Sequence, residues 1–247
     1  MLQDQPYIHT KSDREFHFSE MKRYVEEKQE MDIFLEKLIS PFLVGKRLKI
    51  LDAGCGIGHL IYWLNKINPE STFLGVDQTP FYIEEGGQKL HKGVHNVSFE
   101  IGKIEDLPPK YSKVFDISVS RMVLSWIPYY ESFIRALLEV TRKHIFISSL
   151  FYDGDIDFIT KIREFQSESG KNDFTRYYNV YSLPQFKRFV FDLGVKNMDV
   201  QNFEIMVDIP KGPVDKMGTY TENLANGRRL QISGAVLMNW KWIRIDL

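Results

Sequence analysis

The chain has 247 residues, of which 43% are hydrophobic and 14% aromatic, enough to bury the core of one large domain. Its 32 basic and 33 acidic side chains nearly cancel, so no net field would attract nucleic acid or an anionic membrane surface. The single cysteine excludes an internal disulfide and a multi-cysteine metal site, and the sequence shows neither a signal peptide nor the roughly 18 apolar residues of a spanning helix.

The first predicted element is an amphipathic helix near the N-terminus. Between Ser19 and Ile39 apolar side chains recur at helical spacing among Glu and Lys, and Pro41 lies just past the predicted end. We expect residues 1–45 to form a helical lid.

Five short apolar segments of β-type composition follow, with helical patterns between most of them. They are "RLKILD" (47–52), "STFLGVD" (71–77), "NVSFEIG" (96–102), "VFDISVS" (114–120) and "HIFISSL" (144–150). Strands that alternate with helices predict parallel crossover connections. We therefore expect residues 46–150 to form a parallel α/β half.

The regular alternation ends after Leu150. Residues 151–181 are polar and aromatic, and one helix is predicted there on Phe158, Ile162 and Phe165. Because this stretch interrupts a regular crossover, we interpret it as an insertion over the site.

The C-terminal part is predicted to be antiparallel. A helix capped by Ser182 runs to Gly194, and Asn226-Gly227 between two β-type segments predicts a hairpin turn because both residues tolerate positive φ. The tail "AVLMNWKWIRIDL" (235–247) reads as a final strand whose tryptophans pack in the core. Residues 151–247 are thus expected to supply a substrate cap and antiparallel strands.

The stretch "LDAGCGIGHL", residues 51–60, places three glycines between a predicted strand and a predicted helix. Such a turn lets the main chain approach a ligand closely, and the helix start offers free N–H groups. The dinucleotide fingerprint Gly-x-Gly-x-x-Gly is not met, because the third glycine, Gly58, comes one place early and His59 stands where that form needs glycine. Asp52 would repel a phosphate, so we expect a ligand that is uncharged or positive near the turn.

This loop closely resembles the cofactor loop of the class I S-adenosylmethionine-dependent methyltransferases of the small-molecule type. The resemblance runs from about Lys46 to Leu150. Asp77 ends the second strand, as does the family's ribose-binding acid, and "IGKIEDLPP" (101–109) is similar to the adenine loop. "FDISVSRMVLSWI" (115–127) is similar to the segment that carries cofactor and substrate contacts.

The resemblance implies a fold and a cofactor. The fold is an α/β, Rossmann-like three-layer sandwich in one domain, residues 1–247. Its mostly parallel seven-stranded sheet has an antiparallel C-terminal strand, and an N-terminal helical lid and a C-terminal β-hairpin complete it. The implied cofactor is S-adenosylmethionine, with S-adenosylhomocysteine as the product.

The resemblance also implies the cofactor contacts. The implied residues are Asp52, Gly54, Cys55, Gly56, Gly58, Asp77, Gln78, Ile104, Glu105, Ser120, Arg121 and Trp126. Two readings stay open, since Asp52 could cap a helix and Trp126 could be a core residue. Related enzymes usually have an acidic residue after the loop glycine, and it accepts a hydrogen bond from the adenine amine. Here Gly102 is followed by Lys103, which cannot accept a hydrogen bond. Glu105, Asp106 or the main chain at Ile104 would then serve.

Few catalytic groups are obligatory for this chemistry, because the sulfonium already makes the methyl group electrophilic. We predict His17 as the base, since the N-terminal segment folds over the cofactor in similar enzymes. The alternatives are His9, Tyr7, Tyr177, Tyr178 and Tyr181, and the predicted substrate contacts are Arg176, Tyr177 and Tyr178. We predict no metal, because His91 and His95 have no third ligand near them, and we place His59 on the surface.

The acceptor class follows partly by exclusion. Ser120 to Val123 lack the Asn/Asp-Pro-Pro-aromatic stretch of enzymes that methylate exocyclic base or glutamine nitrogens. Methylation of a cytosine ring carbon is disfavoured too, because it needs a nucleophilic cysteine and the only cysteine lies in the cofactor turn. We expect O- or N-methylation of a small polar metabolite, and the basic residues of the insertion make an anionic one conceivable. Those residues are Lys161, Arg163, Lys171 and Arg176.

Two alternative functions remain. One is a protein or peptide methyltransferase, and the other is a catalytically incomplete, cofactor-binding partner subunit, which Lys103 favours. For partners we expect a small-molecule substrate, no nucleic acid and no membrane, in a cytoplasmic monomer or homodimer.

Overall fold

A computed structural model of the chain describes residues 18–19, 22–165, 172–211, 219–233 and 240–247. Twelve strands occur in these ranges. They are β1 (Lys49–Ala53), β2 (Thr72–Asp77), β3 (Val97–Ile101), β4 (Phe115–Arg121), β5 (Thr141–Tyr152), β6 (Lys161–Phe165), β7 (Asn172–Tyr177), β8 (Tyr181–Ser182), β9 (Asn197–Asn202), β10 (Thr219–Asn223), β11 (Arg229–Ser233) and β12 (Trp240–Asp246).

The helices alternate with the strands through the first two thirds of the chain. They are α1 (Glu30–Leu43), α2 (His59–Ile67), α3 (Gln88–Leu90), α4 (Pro108–Tyr111), α5 (Glu131–Val140) and α6 (Leu183–Asp192). A short helix over residues 22–26 precedes α1, and a π-helical segment, Tyr82–Gly87, leads into α3.

The central sheet has the strand order β3-β2-β1-β4-β5-β12-β9. β1 to β5 are parallel to one another, while β12 is antiparallel to both β5 and β9. This confirms the predicted mostly parallel sheet with an antiparallel C-terminal strand. The two-residue β8, which pairs with β5, adds an eighth strand that the sequence did not predict.

Helices cover both faces of the sheet, which gives the predicted three layers. Neighbouring side chains of one strand enter opposite cores, so Ile50 packs with residues of α1 and α2 while Leu51 packs with residues of α5 and α6. Trp240 and Trp242 are buried, as predicted for packing residues.

The N-terminal helix differs from its prediction. It is interrupted at residues 27–29, and α1 continues through Pro41 to Leu43. Proline is tolerated so near the helix end because only the last turn loses a hydrogen bond. The hydroxyl of Ser40 also donates to the carbonyl of Glu36 at 2.6 Å within this turn.

The helix predicted on Phe158, Ile162 and Phe165 is wrong, because β6 and β7 form an antiparallel hairpin there. Exposure alternates with period two at the start of β6: Lys161 and Arg163 are exposed, and Ile162 between them packs against the core. A bridge between Phe158 and Val180 closes the base of the hairpin.

The cap and the end of α6 and the turn of the C-terminal hairpin are as predicted. The hydroxyl of Ser182 accepts a hydrogen bond from the N–H of Gln185 at 3.2 Å and so caps α6. Gly194 and Gly227 have φ of +88° and +81°, the conformation expected of a helix end and a hairpin turn. No helix in the described ranges has the length and apolar character needed to cross a membrane.

Candidate functional site

The glycine loop between β1 and α2 has a left-handed main chain at three positions. Gly54, Gly56 and Gly58 have φ of +78°, +55° and +79°. A Cβ atom on Gly54 would lie 2.4 Å from a methyl group of Val123, so the loop approaches the segment after β4 as closely as glycine allows. The N–H groups of Gly54 and Cys55 donate to the carbonyl of Val76 at 2.8 and 3.1 Å, which fixes the loop to β2.

Asp77 at the end of β2 holds the loop from the other side. Its Oδ2 accepts from the N–H of Gly56 and its Oδ1 from the N–H of Thr79, both at 2.9 Å. Burial raises the pKa of this carboxyl, and the two N–H donors oppose that rise. The side chain borders the adjoining cavity, where its free lone pairs can accept further hydrogen bonds.

A cavity of about 900 Å³ joins the glycine loop to the C-terminal part of the chain. Its walls come from the glycine loop and His59, the ends of β2 and β4, the loop after β3, and residues within 23–30, 122–133, 176–177 and 205–210, with 219 and 231. The predicted site residues that line it are Gly54, Cys55, Gly56, Asp77, Gln78, Ile104, Glu105, Arg121, Trp126, Arg176 and Tyr177.

Four predicted site residues do not line this cavity. Gly58 packs against Phe99, and the hydroxyl of Ser120 donates to the carbonyl of Ala53 at 3.0 Å. Tyr178 is buried against Trp126, with ring centroids 4.8 Å apart, and Asp52 is buried behind the loop. These four support the walls. The predicted base, His17, lies outside the described residues.

The insertion contributes fewer cations to the cavity than the sequence suggested. Lys161 and Arg163 are exposed on β6 and do not line the cavity, whereas Arg176 does. Lys171 lies outside the described residues. The guanidinium carbon of Arg176 lies 5.6 Å from the centre of the Trp126 ring.

A buried ion pair that the sequence analysis missed stands at the cavity wall. The carboxylate of Asp32 on α1 lies 2.7 Å from Nε of Arg121, and the Asp32 side chain is fully buried. Another nitrogen of the Arg121 guanidinium donates a hydrogen bond to the side-chain oxygen of Gln29. The sequence signal was that Asp32 stands three and seven residues before Leu35 and Ile39, on the apolar face of the predicted helix.

The placement of His59 on the surface is wrong. Its side chain is buried beside this ion pair, with Nε2 3.9 Å from Oδ2 of Asp32, and its ring packs edge-on against Tyr24. Burial lowers the pKa of His59 to about 4; the Asp32 carboxylate opposes that effect and Arg121 adds to it. The reason for the error is that Tyr24 and Asp32 pack against the start of α2, which spacing within α2 cannot reveal.

The pKa of Asp52 is raised, whereas that of His59 is lowered. Burial raises the pKa of Asp52 to about 8, the nearby Arg121 opposes the rise, and the carboxyls of Asp77 and Asp32 add to it. Its Oδ2 has no hydrogen-bond partner among the described residues. Near neutral pH the folded protein therefore keeps a proton on Asp52 that the unfolded chain has lost.

This shift predicts a pH dependence of stability. Because the folded pKa of Asp52 lies above its unfolded value, the free energy of unfolding falls with rising pH by about 1.4 kcal/mol per unit up to pKa 8. The pKa of His59 is lowered from 6.5, so the titration of His59 changes the free energy of unfolding only below that pH. In urea titrations between about pH 6.5 and 8, we expect the wild type to lose about 2 kcal/mol more than Asp52→Asn. Parallel pH profiles of the two proteins would contradict this expectation.

The described residues do not form a metal site. No three His, Cys, Asp or Glu side chains within the described ranges come together in a group that could hold an ion. Nε2 of His91 instead lies 3.0 Å from the carbonyl of Gly58, so this buried ring helps to fix the glycine loop.

The residues present fit S-adenosylmethionine. The main chain of the glycine loop is accessible at Gly54, where a Cβ atom would collide with Val123. Asp77 offers carboxylate lone pairs beside the loop, and the loop has no Lys or Arg that would bind a phosphate. The cavity falls within the roughly 300–1,000 Å³ typical of small-molecule sites.

Comparison with known families and curated proteins gives an independent result. A family model described as a methyltransferase domain matches residues 45–184, more than half of the chain. Trans-aconitate 2-methyltransferase of Deinococcus radiodurans is 30% identical over 94 residues, which cover 38% of this chain and 34% of that protein. The chain spans only about a third or less of the length of the curated relatives that it matches.

Solved structures resemble the whole fold. The 1,6-didemethyltoxoflavin-N1-methyltransferase of Burkholderia thailandensis, crystallised with 1,6-didemethyltoxoflavin and S-adenosylhomocysteine, gives a TM-score of 0.57 at 15% identity and covers 98% of this chain and 92% of that one. A putative methyltransferase in a complex with the Haloferax volcanii Trm112 methyltransferase activator gives 0.60 at 11% identity, covering 96% and 97%. At such identities the likeness concerns the fold.

Proposed function

Because this chain belongs to the class I S-adenosylmethionine-dependent methyltransferases, we propose that its acceptor is a small polar metabolite with an anionic group, methylated on oxygen or nitrogen. We assign the cofactor to the glycine loop, Asp77, Gln78, Ile104, Glu105 and Arg121. When bound, the cofactor supplies an electrophilic methyl group. The chain itself aligns the acceptor, excludes water and gives its proton a route away.

The observation that carries this proposal is that one cavity is shared by the glycine loop and the C-terminal part of the chain. Residues of the glycine loop and residues of the cap (151–247) line the same space, so donor and acceptor can meet in it. Residues from 23–30 and 205–210 also line that space, and its volume of about 900 Å³ suits a small molecule. We therefore propose that residues 1–45, 46–150 and 151–247 act as lid, cofactor half and cap of one domain.

The charge of the cap favours an anionic acceptor. Arg176 lines the cavity, while the other charged residue of the cap that does so, Asp208, is paired with Arg229 at 2.6 Å. The carboxylate of Asp208 thus already has a basic partner, and Arg176 is the basic residue that the described part of the cap brings to the cavity wall. A carboxylate or phosphate on the acceptor would match the guanidinium of Arg176.

The substrate class can be tested with the purified protein. We expect labelled methyl from S-adenosylmethionine to appear in the small-molecule fraction of a metabolite extract, as a product heavier by one methyl group in mass spectrometry. Transfer to the protein fraction alone would instead support the protein or peptide methyltransferase. Cofactor binding without transfer to either fraction would support a partner subunit, which Lys103 at the cavity wall favours.

Replacement of Arg176 tests the anionic group. We expect Arg176→Gln to reduce transfer to the acceptor by about tenfold or more, because an anion would lose a charge-assisted hydrogen bond worth about 1.5–3 kcal/mol. The affinity for S-adenosylhomocysteine, measured by calorimetry, should stay unchanged. Arg163→Gln on the neighbouring strand is the matched control and should transfer normally, since Arg163 does not line the cavity. Equal rates for both variants would disprove this role of Arg176.

A further inference from the structure

Gln231 on β11 is a buried polar side chain that the function described so far does not use. It is 7% exposed, it lines the cavity, and its side-chain amide makes no hydrogen bond with the described part of the chain. Its strand neighbours Leu230 and Ile232 are buried as well. The amide opens onto the cavity, where a ligand can supply the hydrogen bonds that the described part of the chain does not.

The surroundings of Gln231 hold it in place. Its register partner on β10 is Thr221, whose hydroxyl donates to the carbonyl of Val207 at 2.8 Å and accepts from the N–H of Ile209 at 2.9 Å. The N–H of Thr221 also donates to the carbonyl of Ile209 at 2.9 Å. The hairpin and the cavity-lining segment 205–210 are thereby fastened together.

Two ion pairs reinforce this connection. Arg229 lies 2.6 Å from Asp208, and Arg228 lies 2.9 Å from Glu204. Exposed pairs of this kind add little stability each, but both join the hairpin to residues 204–208. Gln231 is therefore presented to the cavity from a supported wall.

Segment 205–210 gives the cavity a wall of mixed character. It contributes the apolar Ile205, Val207 and Ile209, of which Ile205 is almost fully buried, together with Asp208, whose carboxylate is paired with Arg229. An amide in such a wall discriminates strongly, because a ligand that lacks the matching polar group would leave it unsatisfied.

We propose that Gln231 determines substrate specificity by pairing with an amide-type group of the acceptor, a carboxamide or a ring lactam. A glutamine side chain presents one carbonyl oxygen and one NH₂ group side by side. An amide presents the complementary donor and acceptor with the same spacing, whereas a ketone can only accept. This inference rests on the proposed function and names a second recognition group of the acceptor besides the anion at Arg176.

Two probes of equal shape test the pairing. Benzamide has both an N–H donor and a carbonyl acceptor, and acetophenone has only the carbonyl. By ligand-observed NMR on protein saturated with S-adenosylhomocysteine, we expect benzamide to bind about tenfold more tightly than acetophenone. In Gln231→Leu the ratio should fall to about one, because leucine keeps the volume and removes both polar atoms.

Gln201→Leu is the matched control. Gln201 lies on β9, its amide donates to Asp199 at 3.0 Å, and it does not line the cavity. This variant should keep the tenfold ratio. If Gln231→Leu does not fold, Gln231→Met replaces it, since methionine also fills the space without an amide.

Several outcomes would overturn the inference. They are equal binding of the two probes by the wild type, a tenfold ratio retained in Gln231→Leu, and no saturable binding of benzamide. The proposed function is judged separately by labelled methyl transfer to the metabolite extract. Transfer without discrimination between the probes would refute the role of Gln231 alone, and discrimination without transfer would refute the proposed function alone.

Discussion

Gly54→Ala is expected to weaken S-adenosylhomocysteine binding by about 100-fold or more, a loss of about 2.7 kcal/mol. The new Cβ would lie 2.4 Å from Val123, in addition to the strain of a positive φ. The loop can relieve this contact only by moving its main chain away from the position that faces the cofactor. Calorimetric titration of the variant with S-adenosylhomocysteine measures the effect.

Gly45→Ala is the matched control for this variant. Gly45 has a φ of +68°, close to that of Gly54, but a Cβ atom there would meet nothing within 4 Å. It should therefore share the backbone strain and keep cofactor affinity. Gly54→Ala combined with Val123→Ala should recover part of the binding. Equal affinities of Gly54→Ala and the wild type would refute this account of the loop.

Asp32→Asn is expected to lower the free energy of unfolding by about 3–5 kcal/mol. The substitution removes the carboxylate from a buried ion pair and leaves the charge of Arg121 uncompensated, which is far more damaging than removing both charges. Urea titration measures the loss. Asp32→Leu with Arg121→Met should be more stable than Asp32→Asn for the same reason.

Glu70→Gln provides the control for Asp32→Asn. Glu70 pairs with Arg47 at 3.0 Å, but both side chains are largely exposed, so its loss should change the free energy of unfolding by less than about 1 kcal/mol. Similar losses for Glu70→Gln and Asp32→Asn would contradict the importance of burial at Asp32.

The parallel half could be predicted because its signals are local. Apolar strand segments, the glycine turn and the acid that ends β2 each occupy consecutive residues, and the parallel topology follows from their alternation with helices. The C-terminal hairpin and the cap of α6 were equally local, since each depends on two or three adjacent residues.

The features that the sequence did not predict depend on contacts between segments far apart in the sequence. Asp32 and His59 are buried together only because α1 packs across α2, and Gln231 reaches the cavity only because the last hairpin folds over it. The prediction of a helix around Ile162 was wrong because a short apolar pattern fits both a helix and a strand. Pairing with β7 makes this segment a strand.

The position of β12 inside the sheet has a consequence for how the chain folds. β12 pairs with β5 on one side and β9 on the other, so residues 240–246 complete two ladders at once. Until they leave the ribosome, both neighbouring edges stay open, and Trp240 and Trp242 have not yet filled the core. Such distant pairing raises contact order, which makes sheet closure a late and slow step of biosynthesis and exposes the nascent protein to aggregation.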